Sequence, residues 1–300
     1  MPVECIENYD IKKLTSFKIG GEIKKAYFPV SIEEFVEVVK AEPDIEVFGN
    51  LSNTLVSSDG YNGAIVITTK MCNVKFDGNK CYAECGIKGP KLSQLAAGQG
   101  LSGFEFMIGF PGSLGGEVFM NASAHGQCIS DKLTKVTCYS KAKGVFKLDK
   151  DEMGFDYRTS RCQRDNILIL GAEFELEQKS TEEIKSKMDA NLDFRKKKQP
   201  SLALPNCGSV FRNPENNSAG KLLDEVGAKE FSCGGVNVWE NHANFIINER
   251  AGTSTDVLEL MYKMYSAVKE KFGIELKPEV RYLGNNNLRE VELCKILNIK

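Results

Sequence analysis

Histidine is almost missing from this chain: His125 and His242 are the only two in 300 residues. The ten cysteines form no Cys-x-x-Cys pair, so the spacing expected of a zinc site is absent. They are scattered, and with no secretory leader in view they read mostly as small buried hydrophobes rather than a disulfide framework. A surplus of either charge is also lacking. Lys+Arg 39 against Asp+Glu 41 leaves a net charge of −2, which argues against a nucleic-acid partner. No apolar run approaches the roughly 20 residues of a membrane helix. The first residues, MPVECIENYDIKK, lack the apolar stretch of a secretory signal. The expected setting is cytoplasmic, with no membrane and no nucleic acid.

What is present is the patterning of a mixed α/β protein. Ala26–Val30, Ile45–Phe48 and Gly63–Thr68 read as short strands, and Ser31 caps a helix running to about Lys40, with Glu33 and Glu34 in its first turn. Cys81–Cys85 alternates like a strand, Leu92–Gly98 reads as a short helix, and Val136–Tyr139 with Val145–Leu148 predicts a hairpin around Lys143-Gly144. Ile167–Leu176 is the most strand-like segment. Gln178 to about Lys198 is polar and helical, a connector between domains. Leu258, Met261, Tyr265, Val268 and Phe272 recur at helical spacing in a helix over Thr255–Phe272 that Gly273 stops. Three domains are expected: 1–72, 73–180 and 181–300.

Two glycine-bearing loops carry the chemistry. Gly49-Asn50-Leu51-Ser52-Asn53 follows a strand, and its Ser and Asn side chains and backbone N–H groups suit phosphate oxygens. No Gly-Lys-Ser/Thr follows, so it is not a Walker loop, and alone it is better read as a surface turn. The second stretch, GFPGSLGGEVFMNASAHG from Gly109 to Gly126, holds five glycines and one acid. It either lets a flat or charged ligand approach the backbone or marks a tight crossing of two chain segments. Together the two loops suggest a nucleotide cofactor with a pyrophosphate.

The motifs then resemble one family. Thr15-Ser16-Phe17-Lys18-Ile19-Gly20-Gly21 looks like its opening; Gly109-Phe110-Pro111-Gly112-Ser113-Leu114-Gly115-Gly116 with Met120-Asn121-Ala122 is similar to its cofactor loop. Phe155-Asp156-Tyr157-Arg158-Thr159-Ser160, Gly208-Ser209-Val210-Phe211-Arg212-Asn213-Pro214, Ala219-Gly220-Lys221-Leu222, His242-Ala243-Asn244-Phe245 and Pro278-Glu279-Val280-Arg281 follow in family order. The family is UDP-N-acetylenolpyruvoylglucosamine reductase (UDP-N-acetylmuramate dehydrogenase) of peptidoglycan synthesis. The resemblance runs from about Leu14 to Gly284 and is to the compact type, without an extra substrate-covering loop.

The resemblance implies a two-subdomain FAD-binding fold of the vanillyl-alcohol-oxidase/PCMH type, plus a C-terminal α+β substrate domain. It implies FAD and NADPH as cofactors. NADPH reduces the flavin and leaves, and the enolpyruvyl ether of a UDP-sugar then takes the hydride. The catalytic set it implies is Arg158 for the enolate charge, Ser209 as proton donor and Glu279 at the reacting end. FAD would be held by Gly49, Asn50, Leu51, Ser52, Asn53, Gly109, Pro111, Gly112, Ser113, Gly115, Gly116, Asn121, Ala122 and Gly126. Substrate would be bound by Tyr157, Lys198 and Asn213, and no metal is implied; the working unit would be a monomer. Read singly, Arg158 is better taken as a surface ion-pair partner, Ser209 as a turn serine and Glu279 as an edge carboxylate; only their joint occurrence in family order reverses this. The family's first loop usually reads Gly-x-Gly-Ser-Asn, so Leu51 stands where a glycine is usual, and His125 departs from the usual Ala-Tyr-Gly. Two alternatives stay open: another FAD oxidoreductase of this cofactor fold, with His125 as a covalent tether, or a catalytically silent UDP-sugar-binding relative.

Overall fold

The computed structural model describes residues 3–201 and 203–299. Cys5–Asp10 (β1) and Glu22–Tyr27 (β2) open the chain. The strand expected over 26–30 lies earlier than its apolar run and ends before Pro29, which has no N–H for a ladder. Ile32–Ala41 (α1) starts on Ser31, whose hydroxyl accepts the Glu34 N–H. Glu46–Phe48 (β3), Thr54–Val56 (β4) and Tyr61–Ile67 (β5) follow, with β3 parallel to β5 and Val47 opposite Val66. Next come Val74–Asp77 (β6), Lys80–Glu84 (β7), Gly89–Gly98 (α2), Leu114–Phe119 (α3), Leu133–Ser140 (β8), Gly144–Asp149 (β9), Arg161–Arg164 (α4), Leu168–Glu175 (β10) and Thr181–Lys198 (α5). The C-terminal third contains Ala219–Glu225 (α6), Ser232–Cys233 (β11), Val236–Val238 (β12), Ile246–Asn248 (β13), Ser254–Phe272 (α7), Arg281–Leu283 (β14) and Leu288–Leu297 (α8).

Contacts divide the chain into two units interleaved in sequence. Met1–Ile6, Ala26–Asn50 and Ala64–Arg195 make the first; Glu7–Lys25, Leu51–Gly63 and Lys196–Lys300 make the second. The first is built on a five-stranded antiparallel sheet in the order β9-β8-β10-β7-β6. The predicted hairpin is its outer pair, with Cys138 opposite Phe146. Phe104, Met107, Leu114, Val118 and Phe174 share its core with Phe35 of α1. Phe104 meets Phe174 edge-on at 4.9 Å.

The second unit combines the sheet β11-β12-β13 with α7. Thr253 and Asp256 form a reciprocal cap at the start of α7, and Gly273 ends it in the left-handed region at φ 68°. Leu258, Met261 and Val268 point from α7 into a core with Phe17, Leu55, Val210 and Leu293. A separate parallel pair joins β4 to β14, with Tyr282 opposite Leu55. Of the ten cysteines six are buried, while Cys5 and Cys72 are exposed.

Each unit contains a buried carboxylate in a different condition. Glu290 of the second unit is 0% exposed and accepts hydrogen bonds from several hydroxyls. Glu117 of α3, in the first unit, is 4% exposed, and neither carboxylate oxygen has a partner. Burial alone pushes its carboxyl up to about 8 from an ordinary 4.5, so the folded chain holds this proton at neutral pH. An acid whose proton is held by folding favours the fold most below its ordinary value, and that contribution is lost as pH rises through about 8. The melting temperature of the native chain should therefore fall from about pH 5 to about pH 9 more steeply than that of Glu117→Gln, corresponding to a loss of stability of a few kcal/mol at the alkaline end. Thermal melts across that range check this; parallel curves for the two proteins would show that Glu117 is not the titrating group.

Candidate functional site

The two predicted loops meet in the first unit. A Cβ on Gly49 would lie 1.9 Å from Ser113 Oγ, so only glycine allows this approach. Beside it Asn50 Nδ2 donates to the Pro111 carbonyl at 2.6 Å. The Ser113 segment runs antiparallel to Lys88, with Gly89 N donating to Gly112 O and Leu114 N to Ile87 O. Gly115 answers to the backbone-crossing reading: its N–H donates to Cys85 O at 2.8 Å, and a Cβ there would press on Cys85. Gly116 is open, its nearest neighbour at the Cβ position being Ser113 Oγ at 4.0 Å.

The far end of the stretch is tied to the Arg158 motif. Asn121 sits at φ 44°, and its Nδ2 donates to Asp156 O at 3.2 Å. Ala122 N donates to Glu117 O, and Ala122 O accepts from Ile129 N. Ser160 Oγ and Gln163 Nε2 both donate to Phe119 O, and Gln163 Nε2 also donates to Arg158 O. Arg158 is held at φ 55°, a conformation costing roughly 1–2 kcal/mol for a residue with a side chain. Its guanidinium lies 6.0 Å from the ring centre of Tyr157, which is 52% exposed. Gly126 turns at φ 73°, next to His125 at φ 54°.

The basic end of the helix at Arg195–Lys198 is exposed at its three lysines, while Arg195 is half-buried. The Arg195 side chain runs over Gly109, with Cδ 2.6 Å from the position a Cβ would occupy, and burial lowers its pKa. The neighbouring Phe194 ring meets His125 edge-on at 5.3 Å. Lys198 is exposed, and its charge helps lower the pKa of His242, after burial and Lys229.

The second unit holds the rest of the first loop together with Ser209 and Glu279. Leu51 takes φ 50° and turns its side chain into the protein, at 4% exposure. The residue standing where a glycine is usual thus adopts the conformation that glycine would take. Ser52 O accepts from Ser16 Oγ. Asn53 Nδ2 donates to Glu279 O at 3.0 Å, and Asn53 O accepts from Arg281 N at 3.0 Å. Glu279 N donates to Val210 O at 2.9 Å, and Phe211 bridges to Pro278, so the segments bearing Ser209 and Glu279 run side by side. Ser209 pairs on its other side with Phe245, and the Asn244 carboxamide holds both polar groups of the Phe211 backbone. Burial, then the Glu279 charge, push the Cys207 thiol well up.

Other groups serve the scaffold or stay open. Asn213 Oδ1 accepts from Ala219 N at the start of α6. His242 Nδ1 accepts from Asn244 N, and the ring covers Gly220. Arg212 Nε and Asn121 Oδ1 are buried without a protein partner. Glu117 and Arg195 escaped the motif reading; the signal for Glu117 was its place as the one acid among the glycines. The open backbone at Gly116 and an uncharged Glu117 beside it suit an anionic diphosphate, and the orphaned Asn121 oxygen suits an O–H or N–H donor of the same dinucleotide.

Comparison with known proteins accounts for both units. Residues 24–148 match the FAD binding domain family model, and residues 199–283 match the C-terminal domain of UDP-N-acetylenolpyruvoylglucosamine reductase. The reductase of that name from Caldicellulosiruptor bescii is 39% identical over 289 residues, 94% of this chain and 91% of the relative. That from Caldanaerobacter subterraneus subsp. tengcongensis is 39% identical over 281 residues, 92% of this chain and 93% of the relative. The crystal structure of UDP-N-acetylenolpyruvylglucosamine reductase (MurB) from Thermus caldophilus superposes with a TM-score of 0.80 at 29% identity, covering 94% of this chain and 98% of that one. The chain belongs to the UDP-N-acetylenolpyruvoylglucosamine reductase family.

Proposed function

We propose that this chain reduces the enolpyruvyl ether of UDP-N-acetylglucosamine to UDP-N-acetylmuramate, with NADPH as reductant. The observation that carries the reading is the backbone tie from Glu279 to Val210 and Asn53, which sets an alcohol and a carboxylate on adjoining segments beside the end of a cofactor loop. Bound FAD would supply the two-electron carrier between NADPH and the enolpyruvyl group. It would be held by Gly49–Asn53 and by Gly109, Pro111, Gly112, Ser113, Gly115, Gly116, Asn121, Ala122 and Gly126.

The protein's own task is to manage charge and one proton. Reduction of the vinyl carbon pushes negative charge toward the substrate carboxylate, and Arg158 answers it with a planar, always-charged fork. Its left-handed backbone, braced by Gln163 on the carbonyl, fixes where that fork starts. Ser209 gives a proton to the carbon next to the carboxylate. A hydroxyl is a weak acid, and it suffices because that carbon is a much stronger base. Glu279 steadies the reacting end and assists the protonation. Tyr157, Lys198 and Asn213 bind the UDP-sugar, with the Asn213 amide nitrogen as the available group because its oxygen caps α6. The chain acts as a monomer in the cytoplasm on small molecules alone.

Ser209→Ala should leave NADPH-driven bleaching of the flavin intact and slow its reoxidation by the enolpyruvyl substrate by about 10³-fold or more, because the hydroxyl acts only in the second transition state. Anaerobic stopped-flow absorbance reads both steps, and equal loss in both would remove Ser209 from this role. Leu51→Gly relieves left-handed strain of about 1–2 kcal/mol but empties a site whose filling is worth about 2–5 kcal/mol, so it should lower the melting temperature. Because the leucine faces inward, FAD affinity by fluorescence quenching should change by less than about threefold. A gain of an order of magnitude would show that Leu51 obstructs the cofactor.

A further inference from the structure

We propose that Glu290 is a positioning residue for the reduction: a carboxylate on the C-terminal helix that sets the strand pair presenting Asn53 and Glu279. The inference rests on the reading of Glu279 given above. Glu290 lies in the first turn of α8, past the end of the family match at residue 283. Asn287 caps that turn, its Oδ1 accepting from Glu290 N at 3.1 Å. The side chain is fully buried and its two oxygens are shared evenly. Oε2 accepts from Ser57 Oγ at 2.7 Å and Tyr282 OH at 2.5 Å; Oε1 accepts from Ser254 Oγ at 2.5 Å and Thr255 Oγ1 at 2.7 Å.

Two of those donors belong to the strand pair. Ser57 directly follows β4, and its N–H donates to Leu283 O at 2.8 Å. Tyr282 is the middle residue of β14, and its hydroxyl occupies the space that a side chain on Gly284 would fill. Burial and then Glu290 raise the phenol's pKa, so it stays a donor. At the other end of the same pair stand Asn53, immediately before β4, and Glu279, two residues before β14. Asn53 closes that end with its two hydrogen bonds, to Glu279 O and from Arg281 N. Tyr282 and Glu279 are three residues apart, roughly 10 Å along a strand. A three-residue pair held at both ends transmits a shift at one end to the other. Four hydroxyls converging on one buried carboxyl group make directional bonds in a dry site, and they fix register.

The test uses the full-length, FAD-loaded protein and three variants: Glu290→Gln, Tyr282→Phe and Arg289→Ala. Arg289 is the control, since it sits beside Glu290 on α8 but pairs with Glu259 and Glu292 at the surface. Both half-reactions are followed anaerobically, well below each variant's melting temperature, and amide hydrogen exchange is read at residues 279–281. Glu290→Gln should slow reoxidation by the UDP-sugar about 100-fold and Tyr282→Phe about 10-fold, with reduction by NADPH within about twofold of native. The Arg281 amide, which donates to Asn53 O, should exchange faster in both, and Arg289→Ala should change neither readout. If Glu290→Gln does not fold, Tyr282→Phe carries the test, because it deletes one hydroxyl and keeps the ring. Native reoxidation in Tyr282→Phe, equal slowing of both half-reactions, or the same loss in Arg289→Ala would overturn the proposal. Failure of the unaltered chain to be reoxidised by the UDP-sugar would overturn the functional reading, and this inference with it.

Discussion

The second unit depends on one small device, the carboxamide of Asn53 lying across the start of β14. It gives a hydrogen bond to Glu279 O, while its own backbone carbonyl receives Arg281 N. The parallel pair beyond it has only three residues on each side. A pair of that length is weak by itself, so its ends must be pinned. Asn53 pins one end, and the hydroxyl cluster around Glu290 pins the other. Between them Leu55 is fully buried, which adds apolar weight to a ladder too short to hold alone.

The first unit solves a different problem. Its glycine-bearing loops expose bare backbone, and they are braced from behind by the segment Cys85–Gly89 and from the side by Asn50. Strain gathers at the same places. Asn121, His125 and Arg158 all sit at positive φ in the first unit, as Leu51 does in the second. Ordinary side chains hold such angles only where surrounding bonds over-determine them. At Arg158 those bonds are the ties from Gln163 and the Asp156–Thr159 bridge; at Leu51 the compensation is burial. Glu117 is another cost of this region, a carboxyl that folding keeps uncharged.

Much of this was legible in the sequence, for identifiable reasons. α7 was read almost to the residue because a 3.6-residue apolar stripe and a terminal glycine agree; its Thr253–Asp256 cap is seen only in the structure. The hairpin of β8 and β9 was read from Lys143-Gly144, and Gly144 adopts the positive φ its place in the turn requires. Leu51 could be singled out because it stands where a glycine is usual. Other features were hidden. β2 begins in Glu22-Ile23-Lys24-Lys25, whose charges suggest a loop until Ile23 and Ala26 are seen to be buried. α8 carries Leu288 and Ile296 on its exposed side, so its apolar periodicity is blurred. Nothing in the local sequence marks Glu290, since its hydroxyl partners come from segments up to 233 residues away. Arg195 is followed by three lysines in sequence, and only the bare backbone of Gly109 beneath it sets it apart from them.

The parallel pair also dictates an order of events as the chain is made. Asn53 and Glu279 are separated by 226 positions, so β4 has no partner until synthesis has passed residue 283. The sheet around β7, β8 and β10 can close much sooner, from neighbours less than 100 positions apart. Synthesis therefore passes through a stage in which one half is assembled and a short apolar strand, Thr54–Val56, waits with its edge uncovered. A message truncated before codon 281 would yield a product arrested at that stage, with an adhesive edge that chaperones or proteases must deal with.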